Sequence, residues 1–278
     1  MKTHLLLIDC ADEPGLIHKI TGVLLHGGFN IIRNAEFVDE AASRFFMRTE
    51  FTGAPDPHPL VDRLSQNLPP KARVRLASPG SRSLVVLVTK EHHCLAELLI
   101  RQAYKELGAE IRAVIGNHST LKPLADQFGL PFIHVSHLDK TRDEHEAELS
   151  AAIDQHAPDY IVLAKYMRIL GGSFVRRYEN RLINIHHSFL PAFIGAEPYL
   201  QAYNRGVKII GATAHFVTEE LDHGPIICQD IFPVDHTHSA RQMAQTGRDI
   251  EKSVLARALR LVLEERVFLN GLRTVIFD

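Results

Sequence analysis

The spacing of apolar residues in the first 80 positions switches between the strand period and the helix period. Residues 4–10, HLLLIDC, form an apolar run that predicts a buried strand. Pro14 can open the next helix, because its missing N–H costs nothing in a first turn. One face of that helix carries Leu16, Ile17, Ile20, Val23 and Leu24. Further apolar stretches predict two strands, a helix and a last strand, at 29–38, 44–51, 60–68 and 73–76. The resulting order, βαββαβ, is that of a ferredoxin-like domain.

Residues 77–83, ASPGSRS, are mostly small and polar and include an adjacent proline and glycine, which predicts a linker. The pattern of apolar residues changes after it. Strand-length apolar runs now alternate with longer amphipathic stretches. The predicted strands are 83–89, 110–116, 131–135, 159–164 and 181–187, and the predicted helices are 92–107, 121–128 and 142–156. This alternation predicts a Rossmann-like α/β domain with a mostly parallel sheet and helices on both faces.

The end of the chain predicts an antiparallel strand pair, 207–217 with 225–234, and then a long helix at about 239–264. The change in the spacing of apolar residues at the linker predicts two domains, 1–80 and 81–278.

Composition and charge exclude several classes of protein. The 278 residues are 45% hydrophobic and 23% charged, with a net charge of −2. That balance gives no reason to expect nucleic acid or an anionic membrane as a partner. Three scattered cysteines argue against a disulfide scaffold, and the N-terminal apolar run is too short for a signal peptide. No membrane span is predicted, so we expect a cytoplasmic protein. Seventeen histidines include no HExxH spacing, and no metal site is predicted.

The stretch NIHHSFLP, residues 184–191, holds the most conspicuous polar residues of the second domain. Side chains alternate faces along a strand, so Asn184 and His186 are expected to project together. His187 is expected on the opposite face, with a supporting role. From the residues alone, Asn184 can also be a loop cap and His186 a hydrogen-bonded core histidine.

The N-terminal segment DEPGLIHKITGVLLHGGFNI resembles an ACT domain, a βαββαβ module that often binds amino acids. The resemblance implies a small amino acid such as glycine or methionine as effector, and pairing of subunits into a homo-oligomer. A purely structural or oligomerising module is the alternative.

The segment from NIHHSFLP to Asp230, including EELDHGPIICQD, resembles the folate-dependent formyltransferase family. Within that family it is most similar to the formyltetrahydrofolate deformylases. Further marks are FFMR, KEHHCLAELL, IGNHSTL and VLAKYMRIL, in that order along the chain. With the ACT-like segment, the resemblance covers nearly the whole sequence.

This resemblance implies a catalytic triad of Asn184, His186 and Asp222, the last being the aspartate of EELDHGP. It implies hydrolysis of 10-formyltetrahydrofolate to tetrahydrofolate and formate, with no permanently bound cofactor. The residue types suit that chemistry. An amide N–H can stabilise a developing oxyanion, and a histidine can carry protons near neutral pH. A carboxylate can orient the histidine and hold the water. The alternative to a catalytic role is that Asp222 is an ordinary turn residue beside Gly224.

The resemblance also implies folate-pocket residues: Met167, Arg168, Ile169, Leu170, His187 and Gly195. The first four follow a predicted parallel strand, at the sheet edge where open α/β folds place ligands; an ordinary strand-to-helix loop is the alternative. The chain departs from the pattern at Glu197, where a basic residue is usual, and at Leu200, where a histidine is usual. Both departures put folate affinity in question.

Water is the expected acceptor of the formyl group. Ribonucleotide formyltransferases hold a phosphate in a small-residue loop after the first strand of this domain. Here that stretch, TKEHHCLAELL at 89–99, has no glycine or serine. Two alternatives stay open: transfer of the formyl group to an amine, and a catalytically weak amino-acid or folate sensor.

Overall fold

Four strands and two helices occupy the N-terminal part of the computed structural model in the predicted order βαββαβ. They are β1 (Thr3–Ala11), α1 (Leu16–His26), β2 (Asn30–Asp39), β3 (Arg44–Thr52), α2 (Pro59–Asn67) and β4 (Arg73–Ala77). The sheet order is β2-β3-β1-β4, and every neighbouring pair is antiparallel. The ferredoxin-like prediction is therefore confirmed. The structure describes residues 3–53, 56–77, 82–191 and 198–277.

The central strand β1 is buried on both faces, which explains why its sequence is a continuous apolar run instead of an alternating one. On one face Leu6 and Ile8 pack against the apolar sides of α1 and α2. Leu16, Ile20 and Leu24 form the α1 side, at the spacing that the sequence predicts for one helical face.

The other face of this sheet is covered by the C-terminal end of the chain. There Leu5, Leu7 and Phe46 pack against Phe268 and Phe277. Arg48 donates hydrogen bonds to the carbonyls of residues 264 and 265, and Arg75 forms a two-bonded ion pair with Glu265. The first compact unit thus joins the N-terminal segment with Glu264–Phe268 and the chain from Val275 onward. The predicted range 81–278 had placed these segments in the second domain.

The second unit contains a seven-stranded sheet of order β11-β10-β9-β8-β5-β6-β7. Its strands are β5 (Arg82–Val88), β6 (Ala109–Gly116), β7 (Phe132–His134), β8 (Tyr160–Leu163), β9 (Leu182–His186), β10 (Ile209–Phe216) and β11 (Ile226–Pro233). The five neighbouring strands β9, β8, β5, β6 and β7 are parallel to one another. Strand β10 pairs antiparallel with β9, and β11 pairs antiparallel with β10. The mostly parallel sheet with an antiparallel pair is as predicted.

Helices cover both faces of this sheet, as the near-continuous apolar strands require. They are α3 (His93–Ala103), α4 (Lys122–Gln127), α5 (Arg142–Asp154), α6 (Gly172–Arg177), α7 (Pro198–Arg205) and α8 (Ala240–Leu263). Helices α5 and α6 close one core through Leu149, Ile153 and Phe174. Helix α8 lies against β9, β10 and β11 and also contacts α3 and α7.

Short elements at the end of the chain were missed by the sequence patterns. Strands β12 (Val267–Asn270) and β13 (Arg273–Ile276) form a two-stranded sheet. Their sequences, VFLN and RTVI, do not alternate apolar and polar residues, so neither carries the period of a strand. Among the described residues, no helix combines the length and the apolar character needed to cross a membrane.

Candidate active site

Strand β9 places Asn184 and His186 at the carboxyl edge of the parallel sheet. It pairs in parallel with β8 and antiparallel with β10, so both neighbours hold its backbone. The two side chains follow the strand period and line one cavity, as predicted. The His186 side chain is buried, with 7% of its surface exposed.

Asp222 reaches His186 from the loop between β10 and β11. Its Oδ1 lies 3.3 Å from His186 Nδ1, and its backbone is left-handed, with φ of 57°. The loop is held against β10, because Phe216 N–H donates to the Pro225 carbonyl at 2.9 Å. Gly224 makes this approach possible: a Cβ there would lie 1.6 Å from the Phe216 carbonyl oxygen. The structure therefore brings together the three residues of the expected triad.

The electrostatics of the pair favour a charged carboxylate. Burial acts to raise the pKa of Asp222, but the hydrogen bond and charge of His186, with the nearby His215, outweigh it and lower that pKa. With Nδ1 directed at Asp222, the other ring nitrogen of His186, Nε2, is buried and has no hydrogen-bond partner among the described residues. That nitrogen is therefore the one left for proton transfer.

His215, on β10, completes the arrangement and was missed by the sequence reasoning. It lies opposite Asn184 in the β9–β10 register. Its Nδ1 lies 2.8 Å from the Phe216 carbonyl oxygen, which can only accept, so Nδ1 carries the proton. Its Nε2 then accepts from Asn184 Nδ2 at 3.2 Å. Burial lowers the pKa of His215, which keeps the ring neutral and able to accept.

A recognisable signal for His215 does exist in the sequence. In ATAHF, residues 212–216, the polar Thr213 and His215 alternate with apolar residues on a buried strand. Thr213 is also used, because its Oγ1 donates to the Ser188 carbonyl at 2.9 Å and accepts from Leu190 N–H at 3.1 Å. It thereby holds the turn that follows the two histidines.

His187 does not lie on the face opposite His186, and that expectation is wrong. The two imidazole rings are stacked, with centroids 5.0 Å apart and planes 18° from parallel. Both rings line the same cavity. The reason is that β9 ends at His186, so the alternation of a strand does not extend to the next residue.

The loop after β8 forms part of the wall of this cavity, which has a volume of about 420 Å³. Met167, Arg168, Ile169 and Leu170, for which a folate-pocket role is expected, all line it. Met167 and Ile169 are more than half exposed, at 54% and 57%, and so present apolar surface to a ligand. The loop is anchored at both ends, where Met167 N–H donates to Thr89 Oγ1 and Gly171 N–H donates to Glu146.

Two expectations about the segment after the active-site turn fall on residues 192–197. Gly195 and Glu197 lie outside the described residues. Leu200 is described and lies in α7 with 43% of its surface exposed.

A second polar cluster is buried behind the loop wall. His93, Cys94 and Glu251 place ligand atoms within 4.8 Å of one another, a set that can in principle hold a metal ion. A cation is already present, however, because Lys165 Nζ lies 3.2 Å from Glu251 Oε2. A metal at Glu251 would have to compete with this ammonium group.

Fold and site together define a formyl-transferase-type α/β domain that follows a ferredoxin-like βαββαβ domain in the chain. The chain matches the model of the family "Formyl transferase" over residues 82–259 and that of the "ACT domain" over residues 4–68.

Comparison with full-length proteins narrows this class. The formyltetrahydrofolate deformylase of Haemophilus influenzae is 53% identical over 272 residues, which cover 98% of each chain. The crystal structure of a formyltetrahydrofolate deformylase from Pseudomonas syringae pv. tomato superposes with a TM-score of 0.95 at 40% identity, covering 100% of this chain and 95% of that one. The chain belongs to the formyltetrahydrofolate deformylase family.

A more distant similarity covers only part of the chain. The glycinamide ribonucleotide transformylase 1 of Symbiobacterium toebii has a TM-score of 0.68 and 30% identity, covering 71% of this chain and 95% of that one.

Proposed function

We propose that Asn184, His186 and Asp222 hydrolyse 10-formyltetrahydrofolate to tetrahydrofolate and formate in the cavity described above. The hydrolase assignment rests on deformylase relatives that match the chain over nearly its whole length. The assignment of these residues rests on one observation: Asp222 holds the His186 ring through Nδ1, while Nε2 has no hydrogen-bond partner among the described residues of the cavity that Asn184 also lines.

The steps follow from this geometry. Water attacks the formyl carbon while His186 Nε2 takes its proton, and the imidazolium that forms is stabilised by Asp222. The carbonyl oxygen becomes an oxyanion, to which Asn184 donates its second amide N–H, the first being engaged by His215. Collapse of this intermediate breaks the bond between carbon and N10. His186 returns the proton to the departing nitrogen, and the formic acid that is left loses its remaining acidic proton to solvent as formate. Asn184, His186 and Asp222 supply every group these steps use, so we expect no permanently bound cofactor.

The deciding assay follows formate from 10-formyltetrahydrofolate without any added amine. We expect formate to be released at the same rate without an amine as with one. The second candidate, transfer to an amine, is not favoured, because the similarity to a transformylase covers only 71% of this chain at 30% identity. It would require formate release to be negligible until an acceptor such as glycinamide ribonucleotide is added. Folate binding without either product would instead indicate a sensor.

For folate binding we propose the wall formed by Met167, Arg168, Ile169 and Leu170, with His187 and Gly195 as further contacts. Exposed apolar side chains at Met167 and Ile169 suit the flat pterin ring, and the backbone from Arg168 to Leu170 offers hydrogen-bonding groups to its edge. The test is Met167→Ala with Ile169→Ala, which should raise KM with little change in kcat. A fall in kcat at unchanged KM would contradict this role.

For the ACT domain we propose a small amino-acid effector and a role in forming a homo-oligomer. The matched family model and the four-stranded sheet support a regulatory module distinct from the catalytic residues. A thermal-shift screen with glycine, methionine and the other amino acids tests the effector, and analytical ultracentrifugation tests assembly. If no amino acid shifts the melting temperature or the rate, only the oligomerising role is left.

For the cellular role we propose a cytoplasmic enzyme that balances the one-carbon pool and releases formate for purine synthesis. Cys10 and Cys94 are buried as free thiols, as is usual in a reducing compartment. Localisation of a tagged chain by fractionation tests the compartment.

A further inference from the structure

Lys165 connects the catalytic cavity to the buried polar cluster behind it. It lines the same cavity as Asn184, His186 and Asp222, yet only 4% of it is exposed. Its backbone is left-handed, with φ of 62°, a conformation that costs energy for any residue with a Cβ. A lysine held in this way at the wall of an active site needs an explanation beyond packing.

Glu251 of α8 holds the ammonium group. Its carboxylate accepts from His93 Nε2 at 2.7 Å, from the Tyr199 hydroxyl at 2.7 Å and from Lys165 Nζ at 3.2 Å. Burial acts to raise the pKa of Glu251, but the His93 hydrogen bond and the Lys165 charge outweigh it and bring that pKa to about 2. The Glu91 carboxylate lies 3.9 Å from the same ammonium.

The three donors to Glu251 come from three different elements. His93 begins α3, Tyr199 belongs to α7, and Lys165 belongs to the loop after β8. Tyr199 fits against α8 because residue 247 is glycine: a Cβ there would lie 2.1 Å from the tyrosine ring. In the described part of the chain, the cavity reaches Lys165 but not Glu251, His93 or Tyr199. The Lys165 side chain therefore touches both the cavity and the buried carboxylate of Glu251, which the cavity does not reach.

We propose that Lys165, positioned by Glu251, fills the acceptor side of the active site and restricts the nucleophile to water. This inference rests on the proposed hydrolase function and deepens it. A water molecule needs little room beside His186, whereas an amine brings a carbon stem that must occupy the volume held by the lysine. The ammonium charge also repels an acceptor that arrives protonated.

The reaction that this arrangement prevents is transfer to an amine. There the amine nitrogen attacks the formyl carbon, the bond from carbon to N10 breaks, and the amine proton passes through His186 to the departing nitrogen. The products are an N-formyl amine and tetrahydrofolate.

The test replaces Lys165 with glycine, the residue best suited to a positive φ. Lys165→Gly is incubated with 10-formyltetrahydrofolate and glycinamide at slightly alkaline pH, and both formate and N-formylglycinamide are measured. The parent chain should give formate alone. The variant should raise the ratio of formyl transfer to hydrolysis by about tenfold or more, a change in relative transition-state binding. Lys165→Met, which fills the space, should keep the parent ratio.

Controls separate this effect from a general one. Lys140→Gly removes a lysine whose ion pair with Glu148 lies outside the cavity, and it should leave the ratio unchanged. If Lys165→Gly is unstable because Glu251 loses its cation, the double variant with Glu251→Gln removes the charge and keeps the test valid.

Three results would overturn the proposal. One is formate alone from a folded Lys165→Gly, which leaves the hydrolase function intact. Another is neither product from a folded Lys165→Gly, which makes the lysine necessary for hydrolysis itself. The third is one equivalent of zinc in the purified parent, lost in His93→Ala, which makes the cluster a metal centre. Absence of formate from the parent would instead contradict the proposed function.

Discussion

His186 and Asp222 meet at 3.3 Å although they lie on different elements, one at the end of a parallel strand and the other in a left-handed turn. The contact fixes the imidazole and leaves its second nitrogen without a hydrogen-bond partner among the described residues. A change that removes either side chain should therefore affect the chemical step more than folate binding.

We expect His186→Ala and Asp222→Ala each to lower kcat by at least about 100-fold, the scale for a positioned acid–base group. Asn184→Ala should cost about 100- to 1,000-fold, the scale for one oxyanion donor. Steady-state formate release measures this. The control is His223→Ala, next to Asp222 but with a half-exposed side chain, which should have little effect. Equal loss in the control would contradict the assignment.

His215 should act as a positioning residue through Asn184. In His215→Phe the amide of Asn184 loses its acceptor and its fixed orientation, so kcat should fall by up to about 100-fold while KM changes little. His215→Gln, which can still accept a hydrogen bond, should recover part of the loss. If both variants keep the parent kcat, the hydrogen bond to Asn184 has no part in catalysis.

Stability should depend on pH through His215. Burial lowers its pKa in the folded chain, so between that value and the ordinary pKa of about 6.5 the unfolded chain binds more protons. The free energy of unfolding should therefore fall as the pH drops below about 6.5. Urea denaturation at stepped pH should show a shallower fall in His215→Gln than in the parent. The exposed His223→Gln should keep the parent slope, and identical slopes in all three proteins would refute the prediction.

Gly224 should tolerate no side chain. Because a Cβ would lie 1.6 Å from the Phe216 carbonyl oxygen, Gly224→Ala must displace the Asp222 loop. We expect a loss of about 1–3 kcal/mol, the range for overpacking, together with reduced kcat. Gly22→Ala is the matched control, since, apart from its chain neighbours and the backbone of its own helix, no described atom lies within 4 Å of a Cβ at that position. It should stabilise the chain by about 0.5–1 kcal/mol.

Phe268 should stabilise the N-terminal sheet from the far end of the chain. Its ring contacts Phe46 and Phe277, with centroids 5.8 and 5.5 Å away. Phe268→Ala should cost about 3–5 kcal/mol, as for other buried aromatic deletions. Leu272→Ala, at a 65% exposed position of the same segment, is the control and should cost far less. Comparable losses in calorimetry would show that the covering contact is unimportant.

The sequence alone determined the features that depend on local periodicity. The apolar runs and helical faces predicted the order of the larger elements, and the strand period placed Asn184 and His186 on one face. The composition argued against nucleic acid and anionic-membrane partners. These signals are local. The face of a helix or strand on which a side chain lies is set by its position relative to residues only a few places away in the sequence.

Only the tertiary structure decided which distant residues meet. Nothing in the spacing of His215, Lys165 or Glu251 along the chain indicates that the first orients Asn184 and that the other two form a buried ion pair. The stacking of His187 on His186 depends on where β9 ends. The cover over the N-terminal sheet depends on a C-terminal segment whose strands show no alternation of apolar and polar residues. These contacts join residues that are far apart in the sequence, and local periodicity carries no information about such pairs. Packing and charge in the folded chain determine which of these residues meet.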